Sequence, residues 1–253
     1  MTAISHPSFS TGSELPLLYQ VEERHWWSRG MRRICLELLA QTPLPQGALV
    51  EIGCGGGSFL RELQHLWSER LVFGMDLRWD ALMQASQRGA KRLVLTDASH
   101  MPLPSESCAL IVALDVFDQS GIELAPVLKA CRSLLRPGGC LLLRVSALSW
   151  LASPHDAAFG TGRRYHAHEM RQSLAAASLQ PVRLTHANTL LLPLIATHRF
   201  LQQRGVVGAE SALRTDGLWD SLWYSVLVAE AALLRRYDLP LGASLLCLAQ
   251  RPE

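Results

Sequence analysis

Lysine is almost missing from this 253-residue chain: Lys91 and Lys129 are its only two, and no run of Lys or Arg forms a basic arm. With a net charge of only +2, the electrostatic footprint of a nucleic-acid binder is excluded. Any C-x-x-C pair is missing too. Cys35, Cys54, Cys108, Cys131, Cys140 and Cys247 are scattered, mostly inside apolar runs where a thiol behaves as a small hydrophobe. The chain therefore reads as reduced and cytoplasmic. Its start, MTAISHPSFSTGSELP, lacks the basic opening and apolar stretch of a signal peptide. No segment is long and uncharged enough to span a bilayer, since the most apolar helix candidate, residues 222 to 234, carries Glu230. No internal repeat occurs.

What is present is core-forming material, 49% hydrophobic residues, and one informative turn. In VEIGCGGGSFL, Val50 to Leu60, an apolar run and an acid lead into Gly53, Gly55, Gly56 and Gly57. Such glycines take positive φ and admit a ligand close to the main chain, while a helix starting near Ser58 offers unpaired amides. A dinucleotide turn expects Gly or Ala at the sixth position, where Ser58 stands. The pattern that fits is acid-x-Gly-x-Gly-x-Gly: Glu51, Gly53, Gly55 and Gly57. It is followed by LVFGMD, whose Asp76 lies 19 residues after Gly57 (76 − 57 = 19) and offers two oxygens to a ribose diol.

This pattern resembles motif I of the class I S-adenosylmethionine-dependent methyltransferases. The strand-and-helix grammar repeats through RLVLTD, CALIVALD and LLRPGGCLLLRVS, which brings Asp97, Asp115 and Pro137-Gly138-Gly139 to positions matching further family markers. The resemblance implies an α/β fold, a doubly wound, Rossmann-like, seven-stranded sheet in the order 3-2-1-4-5-7-6 with strand 7 antiparallel. Strands are expected near 48 to 53, 71 to 76, 92 to 96, 109 to 114, 140 to 146, 181 to 187 and 243 to 250. The expected organisation is a flexible tail at 1–14, an N-terminal helical cap at 15–47 and a methyltransferase core at 48–253. A helical insertion at 188–239 interrupts the core, as a lid, dimer face or acceptor pocket, or as helices packed on the sheet.

The likeness narrows to a methyltransferase type 11-like branch marked by H-W-W and by H-D followed by R-R-Y. Those residues are His25-Trp26-Trp27, His155-Asp156 and Arg163-Arg164-Tyr165, with Asn188-Thr189, Pro240, Gly242 and Ser244 further on, so the likeness runs from about Tyr19 onwards. The chain departs from the branch at Ser28, where Phe is usual, at Thr161, where His is expected, and at Asp118-Gln119, where the family often has acid then His.

The resemblance implies S-adenosyl-L-methionine as cofactor, leaving as S-adenosyl-L-homocysteine. Its contacts would be Glu51 toward the methionyl ammonium, the turn residues Gly53, Cys54, Gly55 and Gly57, and Asp76 and Leu77 at the ribose. Asp97 and Ala98 would lie at adenine, with Asp115 opening onto the site; Met101 lies against adenine or in the core. Trp26 and Trp27 either close over the site or anchor the cap helix. Catalytic candidates are His155 oriented by Asp156, Tyr165 and His25, although adjacent residues such as His155 and Asp156 often point apart. Tyr19, Trp27, Arg164 and Asn188 are the substrate-side candidates, and no metal is expected.

Methyl transfer is an in-line displacement that gains mainly from alignment and exclusion of water. The expected acceptor is a small or lipid-like molecule of biosynthetic metabolism, methylated at oxygen. Without N-P-P-Y, D-P-P-Y or Pro-Cys, base methylation of nucleic acid is disfavoured. Peptide or protein carboxyl methylation and a non-catalytic cofactor-binding scaffold are the alternatives, with the insertion a candidate homo-oligomer face.

Overall fold

The computed structural model describes residues 23–158, 160–208 and 217–253. The expected tail and Tyr19 lie outside the described residues. Seven strands, β1 (Ala48–Ile52), β2 (Val72–Asp76), β3 (Leu93–Leu95), β4 (Cys108–Leu114), β5 (Leu135–Ser146), β6 (Gln180–Ala187) and β7 (Ser244–Gln250), form one sheet. Its order is β3-β2-β1-β4-β5-β7-β6. β7 runs antiparallel to both β5 and β6, and the pairs among β1 to β5 are parallel. The order and direction implied by the resemblance are those observed.

Apolar runs rather than alternating patterns make these strands, because both faces of the sheet are covered. One face carries α1 (Trp26–Ala40), α2 (Ser58–Leu66), α3 (Trp79–Gln87) and α8 (Leu218–Leu234) around Leu49, Leu110, Leu142 and Leu246. The other carries α4 (Leu124–Leu134) and α6 (Ala167–Ala176), packed on Val50, Ile111, Leu141 and Leu245. Between β5 and α6 lies the short α5 (Pro154–Ala158), and α7 (Leu192–Gln203) follows β6. Among the described residues no helix is long and apolar enough to cross a membrane.

β5 begins earlier than expected, at Leu135 rather than 140. Gly138 at φ +75 and Gly139, whose absent Cβ would stand 2.9 Å from the Arg136 carbonyl and 3.0 Å from that of Cys108, let the chain bulge and keep pairing with β4.

The cap helix and the insertion pack on each other. A Cβ at Gly30 would meet Leu227 Cδ1 at 2.4 Å, so α1 and α8 meet backbone to side chain at that point. Arg235 donates to Glu37 across the same seam. Leu227, Ala231 and Leu234 are buried beside the sheet, so the second insertion helix forms part of the layer rather than a free lid. Glu230, the charge that interrupted the apolar run, is fully buried on α8. Its carboxylate accepts the Asn188 and Leu190 amides at 2.5 and 2.9 Å, fastening the chain where it leaves β6.

Candidate active site

The carboxyl edge of the sheet gathers the cofactor-side residues. β1 ends in the glycine turn, where Gly53, Gly55 and Gly57 all have positive φ (+68, +50 and +76). At Gly53 the turn passes so close to the segment after β4 that a Cβ would meet Val116 Cγ2 at 2.3 Å. Gly57 caps α2, and a Cβ there would stand 2.8 Å from Ala85 Cβ on α3. We expect Gly57→Ala to cost about 2 kcal/mol in thermal or denaturant melts, from the left-handed backbone and the crowding together. An unchanged melt would mean that the turn is not held as described.

The Asp76 carboxylate, from the end of β2, accepts the Gly55 amide at 2.8 Å on Oδ2 and the Arg78 amide at 2.9 Å on Oδ1. Burial raises its pKa, with the two amide bonds pulling against it. Each oxygen accepts one hydrogen bond and retains capacity for another, as gripping a vicinal diol requires. Leu77, half-exposed beside it, gives an apolar surface suited to a base plane. Asp97 turns the chain after β3 by accepting the Ser99 amide and hydroxyl, both at 2.6 Å, while Ala98 and Met101 lean on the core. Glu51 and Cys54 are both buried, and desolvation raises the Cys54 thiol pKa far above its ordinary value. A turn open to close approach, free amides at the α2 start and carboxylates at the ends of β1 and β2 fit an adenosyl amino acid.

The next two strands carry charge. Arg144, 7% exposed near the end of β5, forks onto Asp115 at the end of β4, with Nε to Oδ1 at 2.9 Å. Its guanidinium also lies 5.1 Å over the Trp27 ring, which ties the cap helix to this edge. Trp26, by contrast, is 1% exposed and packs in the core with Trp223, ring centroids 6.5 Å apart. His25 caps α1 with its ring 5.3 Å from that of Trp26.

Asp118, in the loop after β4, is 1% exposed. Its Oδ2 accepts the Ser146 amide at 2.8 Å, while Oδ1 has no hydrogen-bond partner among the described residues. Its backbone carbonyl accepts the Gly162 and Arg163 amides. Burial, with Asp115 nearby, pushes its carboxyl up to about 6. Here sequence reasoning missed a residue: Asp118-Gln119 was noted only as a departure from the family pattern, and the acid of the pair is the perturbed group.

The catalytic candidates are placed differently from a dyad. Both oxygens of Asp156 accept from Arg164, Nε and Nη2 at 2.7 Å each, so that carboxylate is committed away from His155 on the same short helix. Arg164 also donates to the Ala147 carbonyl at 2.7 Å. Tyr165 is buried, with its hydroxyl donating to the Phe117 carbonyl at 3.1 Å and its pKa raised by burial. Asn188, at φ +60 and 1% exposed, donates to Ser244 and holds the β6 exit. Arg144 and Arg199 also escaped the sequence reading, and Glu230 was read only as the charge interrupting an apolar run. A lone charge within CLLLRVS was the available signal for Arg144, since a buried cation requires a partner.

Residues 50–143 match the family described as a methyltransferase domain. Two curated relatives are similar over part of the chain. The malonyl-[acyl-carrier protein] O-methyltransferase of Legionella pneumophila is 31% identical over 37% of this chain and 34% of its own length. Its namesake 1 from Coxiella burnetii is 27% identical over 51% and 43%. The aligned part thus spans about a third of the first relative and somewhat under half of the second. Among solved structures, an S-adenosylmethionine-dependent methyltransferase from Archaeoglobus fulgidus superposes with a TM-score of 0.58 at 16% identity, over 92% of this chain and 98% of that one. That likeness is one of fold.

Proposed function

We propose that this chain, a class I S-adenosylmethionine-dependent methyltransferase by its domain and its strand order, transfers the methyl group to an oxygen of a small or lipid-like acceptor, with a carboxylate oxygen favoured over a hydroxyl. The observation that carries the reading is the Gly55 to Asp76 hydrogen bond at 2.8 Å, which joins the glycine turn to the carboxylate that would hold the ribose. When bound, the cofactor would supply an electrophilic methyl on a sulfonium, with a neutral thioether as the leaving group. Glu51 orients the amino-acid end, the turn aligns the donor, and Trp27 with Arg144 shields the edge from water.

Two observations support a carboxylate acceptor. The two partial relatives are named as O-methyltransferases of malonyl-carrier protein. Asp156, the group that would tune His155 as a base, is engaged by Arg164; an acceptor already ionised at neutral pH needs no proton removed. We expect His155→Ala to keep turnover within about threefold, whereas removal of a working base costs on the order of 10² to 10⁴. A fall of that size would return the acceptor to a hydroxyl. The direct test is formation of S-adenosylhomocysteine in the presence of acyl-carrier malonyl thioesters, free carboxylic acids and hydroxylated lipids. Label recovered in protein and released by mild base would favour peptide or protein carboxyl methylation, and cofactor binding without product from any pool would favour a scaffold. Metabolic role, cytoplasmic location and assembly through the 188–239 insertion belong to this same proposal.

A further inference from the structure

Arg164 and Arg199 share one carboxylate. Arg164 donates from Nε and Nη2 to Asp156 and from Nη1 to the Ala147 carbonyl. Arg199, from α7, reaches Asp156 Oδ1 at 3.6 Å and makes one hydrogen bond among the described residues, from Nη1 to Ser153 Oγ at 2.9 Å. Ser153 in turn donates to Gln202 Oε1 at 3.1 Å, and Gln202 is 3% exposed. The Asp156, Arg164 and Arg199 side chains are 13, 7 and 17% exposed. Two guanidinium groups on one carboxylate leave a positive charge without a matching acid among the described residues, where water screens it poorly. Burial and the neighbouring Arg164 lower the Arg199 pKa to about 10, which still leaves it charged at neutral pH. A guanidinium carries five N–H donors, and among the described residues most of those on Arg199 have no acceptor.

The location suits an acceptor. Ala147 directly follows β5, and β6, like β5, runs antiparallel to β7, so α7 rises from the same carboxyl edge as the glycine turn. The methyl-accepting oxygen belongs near the ends of β1 and β4, and the arginine pair sits beyond them, past β5. We infer that Arg199, backed by Arg164 and Asp156, seats an acidic group of the acceptor, a carboxylate or a phosphate ester, distinct from the oxygen that takes the methyl. The inference rests on the methyltransferase reading and adds a second polar end to the acceptor. A purely structural pin between α5 and α7 would use the same residues but would bind no anion.

The test is calorimetric titration of the protein saturated with S-adenosylhomocysteine, using succinate in one arm and inorganic phosphate in the other at fixed ionic strength. Saturable uptake of at least one anion is expected, weakened at least about tenfold in Arg199→Gln and within a few-fold of wild type in Arg199→Lys, with S-adenosylhomocysteine affinity unchanged in both. The preferred arm separates a carboxylate handle from a phosphate one. If Arg199→Gln fails to fold, a comparable loss in Ser153→Ala, which releases the anchor of Arg199, carries the same meaning. No saturable uptake of either anion, or equal uptake with and without the Arg199 guanidinium, overturns the inference while leaving the methyltransferase reading intact. Failure of S-adenosylhomocysteine itself to bind overturns both.

Discussion

Replacing Asp76 by alanine should weaken S-adenosylhomocysteine binding at least about hundredfold, because hydrogen bonds to a charged acceptor contribute about 1.5 to 3 kcal/mol each and the carboxylate is placed to take two from a ribose. The substitution also releases the Gly55 and Arg78 amides that Asp76 holds at 2.8 and 2.9 Å, loosening the turn proposed to align the donor. Asp76→Asn separates the two effects. It preserves size and one acceptor, so its affinity should fall between those of wild type and alanine while its melting temperature stays close to wild type. Calorimetry with a parallel melt reads both quantities. Near-wild-type affinity in Asp76→Ala would remove the ribose role from this residue.

Asp118 should reveal itself through pH. Its carboxyl is raised from 3.8 in the unfolded chain to about 6 in the fold, chiefly by burial. Between these values the folded state holds a proton that the unfolded state has released. Wild-type stability contributed by this group is therefore fully present below about pH 4 and lost as pH rises through 6, a total of about 3 kcal/mol. Asp118→Asn has no such titration and can still accept the Ser146 amide. It should be no more stable than wild type near pH 4, and should gain relative to wild type by about 2 kcal/mol by pH 8, roughly 4 to 8 °C in melting temperature. A difference between the two proteins that is flat with pH would show that Asp118 ionises as an ordinary carboxylate. The effect matters for the site because the Asp118 carboxylate and carbonyl join the ends of β4 and β5 to the 160–165 segment that carries Arg164 and Tyr165.

The sheet was legible because its signals are local. VEIGCGGGSFL and LVFGMD encode strand, turn and acid within a few residues, and the positive φ values at Gly53, Gly55 and Gly57 are those the spacing called for. β5 was misjudged at its start because Pro137-Gly138-Gly139 reads as a turn, whereas Leu135 already pairs with Cys108 and the ladder resumes at Cys140 with Leu110, the glycines lying in the bulge between. The acceptor side was much less legible. His155-Asp156 looked like a dyad in one dimension, yet the partner of Asp156 is eight residues away at Arg164, with Arg199 arriving from α7. Asn188 looked like a substrate ligand and is buried as a latch to Ser244 and Glu230, contacts separated by 56 and 42 residues. Side-chain pairing across such separations leaves no periodic trace in sequence, and the fold alone decides it.

The central claim is that the carboxyl edge at β1 and β2 holds an adenosyl amino acid. The most direct measurement is isothermal titration of the full chain with S-adenosylhomocysteine. One molecule bound per chain, at micromolar affinity and lost in Asp76→Ala, is the predicted result. No saturable heat at millimolar ligand from a protein that melts cooperatively would contradict it.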